Sequence, residues 1–538
     1  MNRRHSAEMR FFNTTGPVVA ADHYCIPPLQ RVNLEEVLAL IRDKRYFVLH
    51  APRQTGKTSA LLALRDLLNG GSEGAYRCVY VNVESGQTAR ENVERGMRAI
   101  LGSLGTRARR TLGDESLARL WPDVLTTFGP DGALQEVLVR WAEADPTPAV
   151  LLIDEIDTLV GDTLIAVLRQ LRAGYDERPG GFPRSVILCG VRDVRDYRIR
   201  SAAEQTVITG GSAFNVKAAS LRIGDFSEID VRHLLAQHTA ETGQRFAEAA
   251  MQAAWELTAG QPWLVNALAQ EACFADATGR DRSRAITAEA IHAARERIIL
   301  RRETHLDQLT DKLQEERVRR VIGPLLSGGE PSAAMRPDDL QYVRDLGLVA
   351  RESPIRVANP IYREVIPRDL TWTTQAGFTH DPAWYLEPDG GLNLTKLLSA
   401  FQGYFREHSE HWVERFQYRE AGPQLLLQAF LQRIVNSGGR VEREYGLGRM
   451  RTDLLIVWPA GALPEETRRM VIECKVLRGS LERTIREGLE QTRAYMDRCG
   501  AVEGHLVIFD RTPGKAWQEK LFRRQEPGSG PPITVWGM

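Results

Sequence analysis

Tyr46-Phe47-Val48-Leu49-His50-Ala51-Pro52-Arg53-Gln54-Thr55-Gly56-Lys57-Thr58 is the stretch that decides the fold. A short β-prone run leads into a loop ending in glycine, lysine and a hydroxyl residue. From Thr58 to Leu68 leucines then recur at helical spacing. Strand, loop and helix in that order are the context a phosphate-binding loop requires. Successive backbone N–H groups would face a phosphate, and glycine would let the backbone approach it. The lysine would meet the β/γ charge, and the hydroxyl would meet magnesium. Pro52, Arg53, Gln54, Thr55, Gly56, Lys57 and Thr58 are therefore nucleotide-contact candidates, although Ala51 stands where the first glycine of the usual pattern falls.

Further apolar runs follow at Cys78 to Val83, Ala149 to Ile153 and Ser185 to Cys189, separated by helical stretches. Continuous apolar strands alternating with helices predict a parallel sheet covered on both faces. The third run ends in Ile153-Asp154-Glu155. Asp154 is placed to hold magnesium with Thr58, and Glu155 to polarise the attacking water. From about Ser220 the pattern turns helical, with a capping signal at Asp225-Phe226-Ser227-Glu228 and a helix opened by Gly260-Gln261-Pro262. This predicts a helical lid. Helices from about Leu306, a glycine turn near Gly347 and a β-like run at Ile355 to Ala358 suggest a winged helix.

Near the other end lies a second constellation. Arg449-Met450-Arg451-Thr452-Asp453 precedes an expected strand at Leu454 to Val457, and Glu473-Cys474-Lys475 sits within one at Met470 to Val476. Gln491-Thr492-Arg493-Ala494-Tyr495 follows on a helix. Glu473 and Lys475 are two apart and so share a strand face, while Cys474 points the other way. Two carboxylates holding a divalent ion beside a lysine are the means of cutting a phosphodiester. Arg449, Arg451, Arg478, Arg483 and Arg486 add positive charge nearby.

Seventy basic residues balance seventy acidic ones in 538, so nucleic-acid binding would have to come from a local patch. Six cysteines without short paired spacing fit reduced thiols, not a disulfide framework. No signal peptide or membrane span is legible, and a cytoplasmic protein is the expectation.

Residues 51–58, the Asp154-Glu155 run and Gly260-Gln261-Pro262 resemble the AAA+/STAND ATPases of the archaeal-ATPase type. The resemblance implies ATP and Mg2+ as cofactors, Pro27 to Arg31 near the adenine, and Pro262 touching the nucleotide from the lid. The family's polar sensor at the end of the fourth strand has no clear counterpart in Cys189-Gly190-Val191-Arg192-Asp193. The C-terminal motifs resemble the PD-(D/E)XK nuclease superfamily, particularly its RecB-type members. That resemblance implies Asp453 and Glu473 as metal ligands for Mg2+ or Mn2+ and Lys475 as catalytic. It implies Gln491 and Tyr495, with Arg449 and Arg451, as contacts to nucleic acid, DNA in the first instance. On the first helix, Leu425 to Gln432, glutamine stands where many members carry glutamate, with Glu444 as a substitute.

The expected fold is thus an α/β P-loop NTPase domain (1–219), a helical lid (220–303), a winged-helix-like domain (304–371) and a linker (372–391). A separate α/β nuclease-like domain (392–538) completes the chain. The expected function is an ATPase controlling a metal-dependent nuclease. The alternatives are a STAND-like switch or DNA-binding regulator whose nuclease-like domain does not cut. Homo-oligomerisation is left open.

Overall fold

The computed structural model describes residues 9–71, 76–193, 198–200, 207–209, 214–301, 311–326, 335–370, 385–415, 422–435, 440–447, 450–459, 467–477, 479–512, 514–526 and 530–538. The chain forms two compact units. One comprises residues 1–305 with Arg344–Val349, and the other residues 306–343 with 350–538.

The first unit is built on five parallel strands: β1 (Tyr46–His50), β2 (Arg77–Asn82), β3 (Ala149–Asp154), β4 (Ser185–Gly190) and β5 (Lys217–Arg222), in the order β2-β3-β4-β1-β5. Every residue of β3 and β4 is buried, which is what strands covered on both faces require. Tyr46, Val48, Val79, Leu151 and Leu188 enter a core with the helices Val93–Leu112 and Ala133–Glu143. Phe47, Leu49, Tyr80 and Leu152 pack on the other face against Leu34–Arg42 and α1 (Lys57–Asn69). The fifth strand was not legible, because Lys217-Ala218-Ala219-Ser220 lacks an apolar run; its pairing with β1 makes it a strand, so Ser220 lies on the sheet and the helical region opens later.

That region opens with α2 (Glu228–Thr242), which carries a reciprocal capping box between Ser227 and Asp230, and includes α3 (Pro262–Phe274), capped by the Gln261 side chain. Phe12, Tyr24, His238 and Phe274 form an aromatic cluster that fastens the N-terminal segment to these helices.

The second unit holds the helices Glu316–Leu326 and Pro360–Leu370 and all but the last two residues of Pro337–Asp345. Among the described residues the β-like run at Ile355 to Ala358 forms no named strand; its Arg356 O accepts the Ala350 N–H at 2.8 Å. Most of the stretch read as a linker lies outside the described residues. Its end does not: Tyr385 is 1 % exposed in the core of the C-terminal sheet.

That sheet has six strands: β6 (Arg440–Leu447), β7 (Met450–Pro459), β8 (Thr467–Val476), β9 (Glu503–Phe509), β10 (Phe522–Glu526) and β11 (Ile533–Gly537), in the order β6-β7-β8-β9-β11-β10. β8, β9 and β11 run parallel and the remaining pairings are antiparallel. Helices α4 (Leu394–Arg415) and α5 (Gly422–Val435) supply Leu397, Phe401, Leu427 and Phe430 to a core with Met470, Ile472 and Cys474. Helix α6 (Leu481–Cys499) covers the opposite face, where Tyr495 and Met496 meet Leu455, Val457 and Val471.

Candidate functional site

Loop 51–58 joins β1 to α1 at the carboxyl edge of the parallel sheet, the edge where ligands bind in open α/β folds. Its backbone is held from both sides. Thr55 Oγ1 donates to Pro52 O at 2.8 Å, and Lys57 Nζ donates to the same carbonyl at 3.2 Å. Gly56 lies at φ +86°, a conformation that favours glycine, and a Cβ there would sit 2.5 Å from Arg31 Nη2 and push that guanidinium aside. Arg53 and Gln54 are exposed at the crest of the loop.

The β2 and β3 ends complete the site. Thr58 Oγ1 donates to Asp154 Oδ2 at 2.7 Å. Asp154 is fully buried, and its Oδ1 accepts the Glu155 N–H at 3.0 Å. Oxygen donors from Thr58 and Asp154, adjacent at the foot of a phosphate loop, suit a hard cation such as Mg2+. Glu155 follows in the left-handed region at φ 58°, a conformation a non-glycine residue holds at a cost. Burial raises its carboxyl above the usual range, opposed by the Lys57 charge. A partly desolvated carboxylate at that edge suits proton acceptance from water.

Tyr80 was not visible from the sequence, and Arg31, expected only as a neighbour of the adenine, also braces the loop. Tyr80 on β2 donates its hydroxyl to Asp154 Oδ2 at 2.9 Å, so one carboxylate oxygen takes both Tyr80 and Thr58. Its position two residues before the β2 end is the only local signal. Arg31 donates through Nη1 to Thr55 O at 2.5 Å and to Gly224 O at 3.0 Å, with its guanidinium 5.1 Å from the Phe226 ring centroid. Burial lowers its pKa to about 10. Phe226 N in turn donates to Gly260 O at 2.9 Å, which links the turn before α3 to the phosphate loop.

Beside the loop lies a cavity in which Gln54, Gly56 and Ser59 face Ile26, Pro28, Phe226, Pro262 and Trp263. Of the stretch Pro27 to Arg31, Pro28 and Arg31 line this space together with the lid proline, Pro262. Of the sensor candidates, Asp193 is buried in an ion pair with Lys217, an engagement that ties β5 to the end of β4.

In the second unit, Glu473 is 3 % exposed and pairs with Lys475, Oε1 to Nζ at 2.8 Å. Both share the β8 face with Val471, beneath α6, and Cys474 packs in the opposite core as the alternation predicts. Asp453 lies inside β7, not ahead of it: pairing with β6 from Leu447↔Met450 to Tyr445↔Thr452 extends the strand through polar residues that carry no apolar alternation. It directly precedes Leu454, which opposes Ile472. The side chains of Asp453, Arg451 and Glu444, and all of Arg449 and Arg478, lie outside the described residues. On α6, Tyr495 is buried at 6 %, and Gln491 has a buried Oε1 that meets no donor among the described residues. Arg483 is engaged with Glu487 on the exposed side of the helix. Gln428, at the first-helix position, is 2 % exposed on α5.

No helix among the described residues is long and apolar enough to cross a membrane. Residues 41–197 match the family model described as an AAA domain. No curated protein matches the chain significantly. Solved structures similar to it include the Walker-type ATPase PABY2304 of Pyrococcus abyssi, at 15% identity and a TM-score of 0.44, covering 66% of this chain and 99% of that one. Cdc6p from Pyrobaculum aerophilum is 14% identical with a TM-score of 0.35, over 65% of this chain and 96% of its own. RuvB T158V of Thermotoga maritima is 14% identical with a TM-score of 0.33, over 62% and 94%. The loop 51–58, Asp154 and Glu155 all lie inside residues 41–197, the span that matches the AAA-domain model.

Proposed function

We propose that this protein binds and hydrolyses ATP with magnesium in its first unit, and that the nucleotide state controls a metal-dependent nuclease site in its second. The observation that carries the first half is the convergence of Lys57, Thr58, Asp154 and Glu155 at one sheet edge. Lys57 is placed to meet the β/γ-phosphate charge once it leaves Pro52 O. Thr58 and Asp154 are the residues that would hold magnesium, whose chemistry is to offset charge on the phosphates. Glu155 orients and deprotonates the attacking water. Pro262 closes on the base from the lid, so a bound nucleotide would bias the lid by its differential affinity for the two lid positions.

The second half rests on Glu473 and Lys475 sharing a buried strand face beneath a helix bearing Gln491 and Tyr495. In this reading Asp453 and Glu473 hold Mg2+ or Mn2+, Lys475 stabilises charge at the phosphate, and Gln491, Tyr495, Arg449 and Arg451 contact DNA. The domain order is the one expected from the sequence, with the first boundary moved past β5 and the start of the C-terminal domain moved ahead of Tyr385. One observation favours a second reading, a STAND-like switch that binds without cutting: the first-helix position is an uncharged, buried Gln428.

The test is cleavage of plasmid, linear and single-stranded DNA with and without ATP and divalent metal. Lys57→Ala is expected to abolish ATP binding by calorimetry, and Lys475→Ala to abolish cutting while leaving ATP turnover intact. Unchanged ATP binding in Lys57→Ala refutes the nucleotide site. Absence of cleavage by the unmodified protein under every condition selects the non-cutting switch.

A further inference from the structure

Among the described residues lining the cavity beside the phosphate loop, two buried side-chain atoms meet no partner, Arg31 Nε and Asn266 Oδ1, and of the two only Asn266 Oδ1 is an acceptor. Asn266 on α3 is 9 % exposed, lines that cavity, and donates Nδ2 to Pro262 O at 2.8 Å. A carbonyl oxygen can only accept, so this bond decides which end of the amide is which. Oδ1 is thereby turned away from Pro262, and it is buried with no donor among the described residues. A buried acceptor left unmade costs about 1–3 kcal/mol, and such groups in folded proteins call for an account. The surroundings supply one. The phosphates are placed by loop 51–58, Gly56 and Ser59 border the same cavity, and Ile26, Pro28 and Trp263 give it apolar walls suited to a flat ring.

We infer that Asn266 reads the purine: its Oδ1 accepts a hydrogen bond from the exocyclic 6-amine of adenine, which makes the site selective for ATP over 6-oxopurine triphosphates. The inference rests on the ATP-site reading and adds the residue that chooses the base. An adenine amine presents a donor to Oδ1. Hypoxanthine or guanine presents its O6 acceptor there, which leaves two buried acceptors facing each other. A purine with hydrogen at position 6 neither pairs nor repels, and falls between.

Calorimetric titration of the full chain with ATP, purine riboside triphosphate and ITP, in magnesium, tests this without any variant. The expected affinity order is ATP, then the 6-hydrogen purine, then ITP, with ATP ahead of ITP by about tenfold, the upper range for one neutral hydrogen bond. Asn266→Ala should lose most of that ratio through weaker ATP binding with ITP little changed. Asn266→Asp, which keeps an acceptor, should retain the preference for ATP. Melting temperatures of both variants check that the α3 terminus is intact. Equal affinity of the unmodified protein for ATP and ITP overturns the inference while leaving the ATP site standing, as does an unaltered ratio in a folded Asn266→Ala. Failure of the unmodified protein to bind any of the three overturns the ATP-site reading and this one together.

Discussion

Tyr80→Phe removes one hydroxyl and leaves the ring that fills the core. Asp154 is fully buried, so water cannot replace the lost donor, and its Oδ2 then keeps only Thr58 Oγ1 while Oδ1 keeps the Glu155 N–H. The ring is 4 % exposed, and the Arg107 guanidinium, 5.8 Å from its centroid, has the same face to rest on in phenylalanine. No cavity opens beyond the single oxygen. A hydrogen bond to a charged group contributes about 1.5–3 kcal/mol. With two of three donors retained, the low end applies, about 1.5 kcal/mol. For a unit of this size that corresponds to a fall in Tm of about 2 °C. The same carboxylate is proposed to hold magnesium, so the apparent affinity for Mg·ATP should drop by about tenfold, the equivalent of 1.4 kcal/mol. Affinity for ATP in EDTA should be unchanged. Differential scanning fluorimetry of the nucleotide-free protein and titration of a fluorescent ATP analogue with and without magnesium measure both. A variant that melts with the unmodified protein and shows the same magnesium dependence refutes the assignment of Tyr80 as the residue that positions Asp154.

Gly260→Ala should be far more damaging than an ordinary surface change: the residue sits at φ +76°, and a Cβ would lie 1.9 Å from Phe226 O, so the link between the lid turn and the phosphate loop must break. A loss of more than about 2 kcal/mol in denaturant titration is expected, and a loss under about 0.5 kcal/mol contradicts the geometry. Burial lowers the pKa of His238, whose Nε2 faces Gln244 Oε1 at 2.9 Å and whose Nδ1 faces Tyr24 OH at 3.3 Å. Above 6.5 both folded and unfolded histidine are neutral, and as pH falls below 6.5 the unfolded chain gains the proton first, so stability declines toward acid. Melting curves from pH 7.5 down to pH 5.5 should fall less steeply in His238→Gln than in the unmodified protein, and parallel curves would exclude this histidine as the cause.

The first site was legible because its parts are local. Strand, loop, glycine, lysine and hydroxyl occupy thirteen consecutive residues by sequence, and a backbone that must cradle phosphate writes its needs into adjacent positions. Asp154 and Glu155 were readable for the same reason, since they end an apolar strand. So was the pairing of Glu473 with Lys475, because a strand repeats every two residues whatever it pairs with. Tyr80, Arg31 and Asn266 carry no such signature. Tyr80 meets Asp154 only because β2 and β3 are neighbours, with Asn82 opposite Asp154 in the register. Arg31 reaches Thr55 and Gly224 across 24 and 193 residues of sequence. Asn266 shares a cavity with Gly56 because α3 folds back over a loop more than two hundred positions earlier. The β5 strand likewise exists through its partner β1, its own residues being too small and polar to announce it. Motifs whose atoms act on one contiguous backbone are set by the sequence itself; side chains that act by meeting across the sheet and the lid acquire their partners only when the chain has packed, because hydrogen bonding and burial depend on distance in space and not on separation along the chain.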